Sequence, residues 1–215
     1  CPVRQSMPAK LISIGAKSFS VVDSAGVKIY EMLYSGKKYE VYEGNLGTAE
    51  VKAFLDELET TSHKITTDCF FENFDTFNCI HKSGNFSLLM MRTVAVPKKR
   101  AEESDENYMQ KLTPIQKLMY NFINSKPNCG ASSVMYYKDR MVLLWKDNKV
   151  ITLITNAFDA EHDDGLSVKC CMRGCSGQDI NCSMAVMEYN RHKSYVDMYN
   201  SCRAQMDIQT YFHHW

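Results

Sequence analysis

Three carboxylates stand where the chain could do metal-assisted chemistry. Asp23 follows the apolar run Phe19-Ser20-Val21-Val22, and Asp68 follows Ile65-Thr66-Thr67. Asp197 closes the stretch Met187-Glu188-Tyr189-Asn190-Arg191-His192-Lys193-Ser194-Tyr195-Val196-Asp197, which reads as the start of a helix with the acid on its buried side. An acid placed directly after a strand is held by a rigid element and still points at solvent. Three such groups from distant parts of one chain are what a hard divalent cation requires, because it prefers oxygen ligands. With 25 Asp+Glu in the chain, spacing alone leaves a second reading open, solvated acids at strand ends.

Sulfur offers less. Cys1, Cys69, Cys79, Cys129 and Cys202 are isolated, and Cys170, Cys171, Cys175 and Cys182 crowd together. None of the spacings is Cys-x2-Cys, and His162 is the only imidazole nearby, so a variable loop is the first expectation there, with a zinc knot as the alternative. Without a signal segment, the odd total of nine cysteines reads as reduced thiols in an intracellular protein. His192 and the His213-His214 pair are expected at the surface, and the thirteen methionines in the core.

The chain has 215 residues, 45% of them apolar, enough for one domain with a core or a core plus an insertion. Lys+Arg and Asp+Glu both total 25, so an anionic partner must be held by local patches and not by an overall field. No apolar run approaches a membrane span. The chain begins at Cys1 and stops at Trp215 inside an expected helix, which reads as a fragment.

The acids must be positioned by the elements around them. Residues 11–23 and 27–35 read as a hairpin turned by Ser24-Ala25-Gly26, after an extended lead-in over 1–10. Val51, Phe54, Leu55 and Leu58 have helical spacing, with Thr48 near the helix start. A strand over 64–70 follows, then a short helix from Phe74 closed by Gly84, then a strand over 86–96 stopped by Pro97. The charged run Lys98 to Glu106 marks a boundary. Leu112 to Asn124 reads as an amphipathic helix, 132–158 as a β-meander, 159–183 as loop and 186–212 as helix. The meander's Trp145 is expected to pack and not to stack on a base. The order is that of an α/β protein, a mixed sheet flanked by helices and interrupted by a mostly β insertion. The expected division is 9–96 and 185–215 as core and 97–184 as insertion.

In that order the chain resembles the catalytic domain of piggyBac-type transposases over nearly its whole length. The blocks are Met7-Pro8-Ala9-Lys10 with Gly15-Ala16-Lys17, Val22-Asp23-Ser24, Tyr34-Ser35-Gly36-Lys37, and Leu46-Gly47 with Val51. They continue with Ile65-Thr66-Thr67-Asp68-Cys69-Phe70-Phe71, Arg92-Thr93-Val94, Leu144-Trp145-Lys146-Asp147, Tyr189-Asn190 and Val196-Asp197. The resemblance implies a ribonuclease-H-like core in which Asp23, Asp68 and Asp197 are catalytic and hold two Mg2+ or Mn2+ ions. Asp23 would bridge both ions, and Asp68 and Asp197 would each complete one. It further implies nicking, hairpin resolution and strand transfer on double-stranded DNA at transposon ends and a TTAA target. A nuclear protein, a possible homodimer and no membrane association go with it. Lys10, Lys17, Arg92, Lys98, Lys99, Arg100, Arg191 and Lys193 would meet phosphates.

The chain departs from the family where Cys69 and Glu72 follow the second acid, and where Ser194 and Tyr195 replace two glycines before the third. Asn200 also stands where an Asp is common, and the basic residues beyond it are missing. A tyrosine in place of glycine narrows the approach to the metals, and fewer cations weaken phosphate binding. Two functions are therefore expected, a cutting transposase or a domesticated or decayed relative that binds DNA without cleavage. An unrelated metal-dependent nuclease of the same fold would keep the acids but not the tryptophan hairpin or Tyr189-Asn190.

Overall fold

The computed structural model describes residues 4–6, 14–16, 18–34, 45–71, 73–91, 94–158, 166–169 and 179–205. The stretch read as one strand over 11–23 is divided between two hairpins. In the first, β2 (Ile14–Ala16) pairs with β1 (Arg4–Ser6), the latter within what was expected to be a plain lead-in. In the second, β3 (Ser18–Val22) pairs antiparallel with β4 (Lys28–Leu33). Its turn is closed by Asp23, whose Oδ1 accepts from the backbone amides of Ala25 at 2.9 Å and Val27 at 2.8 Å. Gly26 supplies the positive φ, +78°, that the turn requires.

Helix α1 (Leu46–Glu57) starts two residues before Thr48, because Asn45 caps it by accepting from the Gly47 amide at 2.8 Å. Strand β5 (Lys64–Thr67) delivers Asp68 just past its end. Helix α2 (Phe74–Lys82), capped by Asn73, crosses to β6 (Phe86–Met91), which runs parallel to β5. The strand expected over 86–96 thus stops early. Val94 and Val96 pack instead against a cluster of Met119, Phe122 and Leu144. Two helices follow, α3 (Asp105–Lys111) inside the charged run, and α4 (Pro114–Asn124) with a Thr113/Gln116 capping box.

The meander forms as expected, with β7 (Ser132–Tyr137), β8 (Arg140–Lys146) and β9 (Val150–Thr155). It joins the earlier strands in one five-stranded sheet of order β5-β6-β9-β8-β7, through antiparallel pairing of β9 with β6. The expected loop over 159–183 contains a hairpin of β10 (Leu166–Lys169) and β11 (Asp179–Cys182). Cys170, Cys171 and Cys175 lie outside the described residues. The final helix α5 (Met184–Gln205) begins before the expected start, so Asp197 lies well inside it.

Strand alternation makes the sheet two-sided. Leu89, Val142 and Ile154 face α1 and α2 through Val51, Phe54, Leu55, Phe77 and Ile80. Leu88, Leu143, Trp145 and Leu153 face α5 through Ala185, Val186 and Tyr189. Trp145 is packed, as its sequence context implied. Among the described residues, no helix is long and apolar enough to cross a membrane.

Candidate active site

The β3–β4 hairpin and the five-stranded sheet share no strand pairing among the described residues. Between β3 and β5 lie two adjoining cavities, closed on one side by α5. The first, about 320 Å3, is lined by Asp68 and Asp197 together with Glu50, Thr66, Thr67, His192, Lys193 and an apolar floor. The second, about 400 Å3, is lined by Asp23, Ser24, His63, His192 and Tyr195. Val21, Phe54, Ile65, Thr66, His192 and Val196 belong to both. The three aspartates therefore lie on the same side of the molecule, two on one cavity and the third on its neighbour.

Each strand-end acid is anchored through one oxygen. Asp23 Oδ1 accepts the two turn amides, and Asp68 Oδ1 accepts from the Phe70 amide at 2.8 Å. That leaves Oδ2 of both acids without a hydrogen bond among the described residues. Asp197 is exposed on α5, contrary to the buried orientation expected. Its helix puts Tyr189, His192, Lys193 and Val196 on one stripe at spacings of three and four, so the stripe meets the cavities as a unit. The turn at Gly26 comes close to that helix, where a Cβ would stand 2.6 Å from the flexible end of Met198, Cε.

The donor set is all oxygen, the kind a hard cation takes. Its arrangement is open: among the described residues, no three His, Cys, Asp or Glu side chains gather at distances that would hold one ion. The acids therefore suit a divalent metal by chemistry, and Asp68 and Asp197 line the same cavity.

His192 is the residue that sequence reading undervalued. It is half-buried and lines both cavities, with Nε2 3.5 Å from Glu188 Oε1 and its ring 5.5 Å from that of Tyr195. The periodic stripe through Tyr189 and Val196 was the signal that could have found it. Tyr195, where glycine was expected by resemblance, occupies the wall beside Asp23.

The cations expected at phosphates are spread out. Arg191 and Lys193 are exposed on α5, and Lys193 also borders the first cavity. Lys98, Lys99 and Arg100 are exposed before α3, where Lys99 pairs with Asp105. Lys10, Lys17 and Arg92 lie outside the described residues.

A family model described as Transposase IS4 matches residues 1–215. Comparison with curated protein sequences gives no match. Among solved structures, the fold is similar to a chain of the piggyBac transposase synaptic complex with hairpin DNA, determined by cryo-electron microscopy. The TM-score is 0.64 at 18% identity, over 95% of this chain and 37% of that one. The chain thus spans little more than a third of the length of the protein it matches. At that identity the likeness establishes the fold, and the expected ribonuclease-H-like mixed sheet flanked by helices is borne out.

Proposed function

This chain belongs to the IS4 transposase family, and we propose that it binds double-stranded DNA and cleaves phosphodiester bonds with Asp23, Asp68 and Asp197. One observation carries the reading: Asp68 and Asp197, from a strand end and a distant helix, line one cavity, and Asp23 lines the cavity that shares its walls. Asp68 and Asp197 would hold a divalent cation, Mg2+ or Mn2+, and Asp23 would join from the adjoining cavity to serve a second. Such ions supply Lewis-acid activation of the attacking oxygen and stabilise the leaving one.

The chain's own residues set the rest. The Asp23 and Phe70 turns fix two carboxylates by their own backbones, so neither acid reorganises to present Oδ2. Lys193, and Arg191 beside it, offer cations to the phosphates flanking the cut. Lys98 and Arg100, exposed on the separate segment before α3, would meet more distant phosphates, with nuclear DNA as the expected substrate. The DNA-bound complex named for the structural relative supports nucleic acid as the partner. TTAA-type targets, transposon ends and a dimer remain part of the same proposal.

The test is cleavage of plasmid and hairpin DNA carrying TTAA, with Mg2+ or Mn2+, comparing the chain with Asp68→Asn and Asp197→Ala. Loss on the order of 100-fold in both variants is expected, at least what outer partners of a metal usually cost. Equal nicking by all three proteins overturns the assignment.

A second reading, DNA binding without cleavage, is favoured by the absence of a three-acid cluster among the described residues and by Tyr195 beside Asp23. Retained DNA binding with no metal-dependent cutting above background selects it.

A further inference from the structure

Val21, Phe54, Ile65, Thr66, His192 and Val196 form the wall common to both cavities. Five of them offer apolar or hydroxyl surface. His192 alone brings a group of the kind that takes up and gives up protons near neutral pH. Its side chain keeps only 20% of its exposure, and Nε2 lies 3.5 Å from Glu188 Oε1, one helical turn back. The other ring nitrogen, Nδ1, makes no hydrogen bond among the described residues. Nor does His192 hydrogen-bond or ion-pair with Asp23, Asp68 or Asp197, so the three acids leave the ring to itself.

Glu188 decides which nitrogen carries the proton. An ionised carboxylate accepts and does not donate, so in the neutral ring the N–H belongs on Nε2, facing Oε1. Nδ1 then keeps its lone pair. At 3.5 Å the contact is loose while the ring is neutral, and it becomes an ion pair once the ring is charged. Tyr195 covers another side, its ring 5.5 Å from the imidazole. An imidazole engaged at one nitrogen, bare at the other and sheltered from bulk water is equipped to act as a general base. Two other roles fit less well. A hard cation prefers the carboxylate oxygens to imidazole, and a phosphate contact needs a proton on Nδ1.

We propose that His192 is the general base of the cleavage reaction, accepting through Nδ1 a proton from the water that attacks phosphorus. The inference rests on the reading of this chain as a phosphodiester-cleaving enzyme, and it names the group that activates the nucleophile. The water oxygen bonds to phosphorus as its proton passes to Nδ1. The bond from phosphorus to the leaving sugar oxygen breaks, and its electron pair stays on that oxygen, which takes a proton from solvent. The imidazolium is held by Glu188 and returns its proton to water before the next cut. Asp23, Glu50, Asp68 and Asp197 outnumber Lys64 and Lys193 on the cavity walls, with His63 on the second, so the transient positive charge is balanced.

Single-turnover cleavage of the TTAA-bearing hairpin tests the assignment, with filter retention of the same DNA in parallel. His192→Ala should cut roughly 100-fold more slowly, the low end of what a general base contributes, and still retain DNA. Imidazole added to the buffer should restore part of that rate in proportion to its neutral form, and should do nothing for Asp68→Asn. Glu188→Gln should cut roughly 10-fold more slowly, the scale of a partner that orients a reacting group. Nitrogen-15 NMR of the ring in the free protein gives a readout without turnover, and keeps the test decisive where His192→Ala does not fold. Neutral His192 should carry its proton on Nε2, and Glu188→Gln should let the other tautomer appear. Undiminished cutting by His192→Ala, a deficit that imidazole leaves untouched, or a neutral ring protonated on Nδ1 overturns the base and leaves the cleavage reading standing. A parent protein that does not cut above background in Mg2+ or Mn2+ overturns both.

Discussion

Gly47 joins the stability of the fold to the position of Asp68, and substituting it tests both. It sits in the first turn of α1, buried against the loop that follows β5. A Cβ at this position would stand 2.8 Å from the Phe70 carbonyl oxygen and 2.8 Å from Phe71 Cα, with Asn45 Oδ1 at 3.2 Å. Two of those neighbours are backbone and are themselves tied down. Thr76 Oγ1 donates to the Phe71 carbonyl at 2.6 Å and lies 2.9 Å from Thr48 Oγ1, which also exchanges hydrogen bonds with Asn73. The loop therefore cannot retreat without breaking the Thr76–Phe71 bond beside the Asn73 cap of α2.

In an open helix, Gly→Ala would stabilise by about 0.8–1 kcal/mol. Overpacking costs typically about 1–3 kcal/mol, and a clash with fixed backbone belongs at the upper end. The net expectation for Gly47→Ala is a loss of about 1–2 kcal/mol, or a Tm lower by about 2–8 °C for a chain of this size. Because the Phe70 amide holds Asp68 Oδ1 at 2.8 Å, any shift of that loop also moves the carboxylate. Metal-dependent cleavage should then fall by more than the unfolded fraction explains. Calorimetry on the variant, with single-turnover cleavage well below its Tm, measures both. A Gly47→Ala protein as stable as the parent, or more so, refutes the close approach.

Three further outcomes follow from the same structure. A shared cation at Asp68 and Asp197 should raise Tm with Mg2+ concentration, by about 2.7 kcal/mol of stability at 100 times Kd, and the Asp68→Asn/Asp197→Asn double variant should lose that rise in calorimetry. Replacing Arg191 and Lys193 together by Gln should reduce the slope of log affinity against log salt by roughly 1.8 if both meet phosphates, and by nothing if neither does. Asp139 is held below its ordinary 3.8 by its own backbone amide, then by the Arg140 guanidinium, with the charges of Arg140 and His81 adding to it. A depressed carboxyl stabilises the fold above its ordinary value and loses that contribution as pH falls through the folded value. Asp139→Asn should therefore flatten the decline of the urea midpoint below about pH 3.8, and an unchanged decline refutes the assignment.

What the sequence made legible depended on how local the governing physics was. The ends of β3 and β5 could be read because an apolar run stops at an acid that bonds the next amides, a matter of four or five residues. The meander was equally plain, with short apolar runs separated by the polar turn Asp147-Asn148-Lys149. Misreadings arose where chemistry and conformation pointed apart. Ser104-Asp105-Glu106 looked like solvated charge, yet Ser104 Oγ accepts from the Asn107 amide and the two acids suit a helix N-terminus. Val94 and Val96 continued the pattern of β6, but packing on α4 claims them as irregular chain.

The site was harder to read because its geometry is set by an interface that no local pattern encodes. Sequence placed three acids on three elements and could not say how closely those elements approach. β5 is at the edge of its sheet, β3 belongs to a separate hairpin, and both cavities lie along the seam between them. The seam is bridged by α5, whose Tyr189, His192 and Val196 stripe touches both sides. Its width decides whether Asp23 can share an ion with Asp68, since each acid is pinned to its own turn. Strand edges left unpaired are costly features that proteins usually cover. Here the same opening that separates the carboxylates also exposes the aromatic floor of the first cavity. Ions shared between Asp23 and Asp68 would draw β3 and β5 together across that opening.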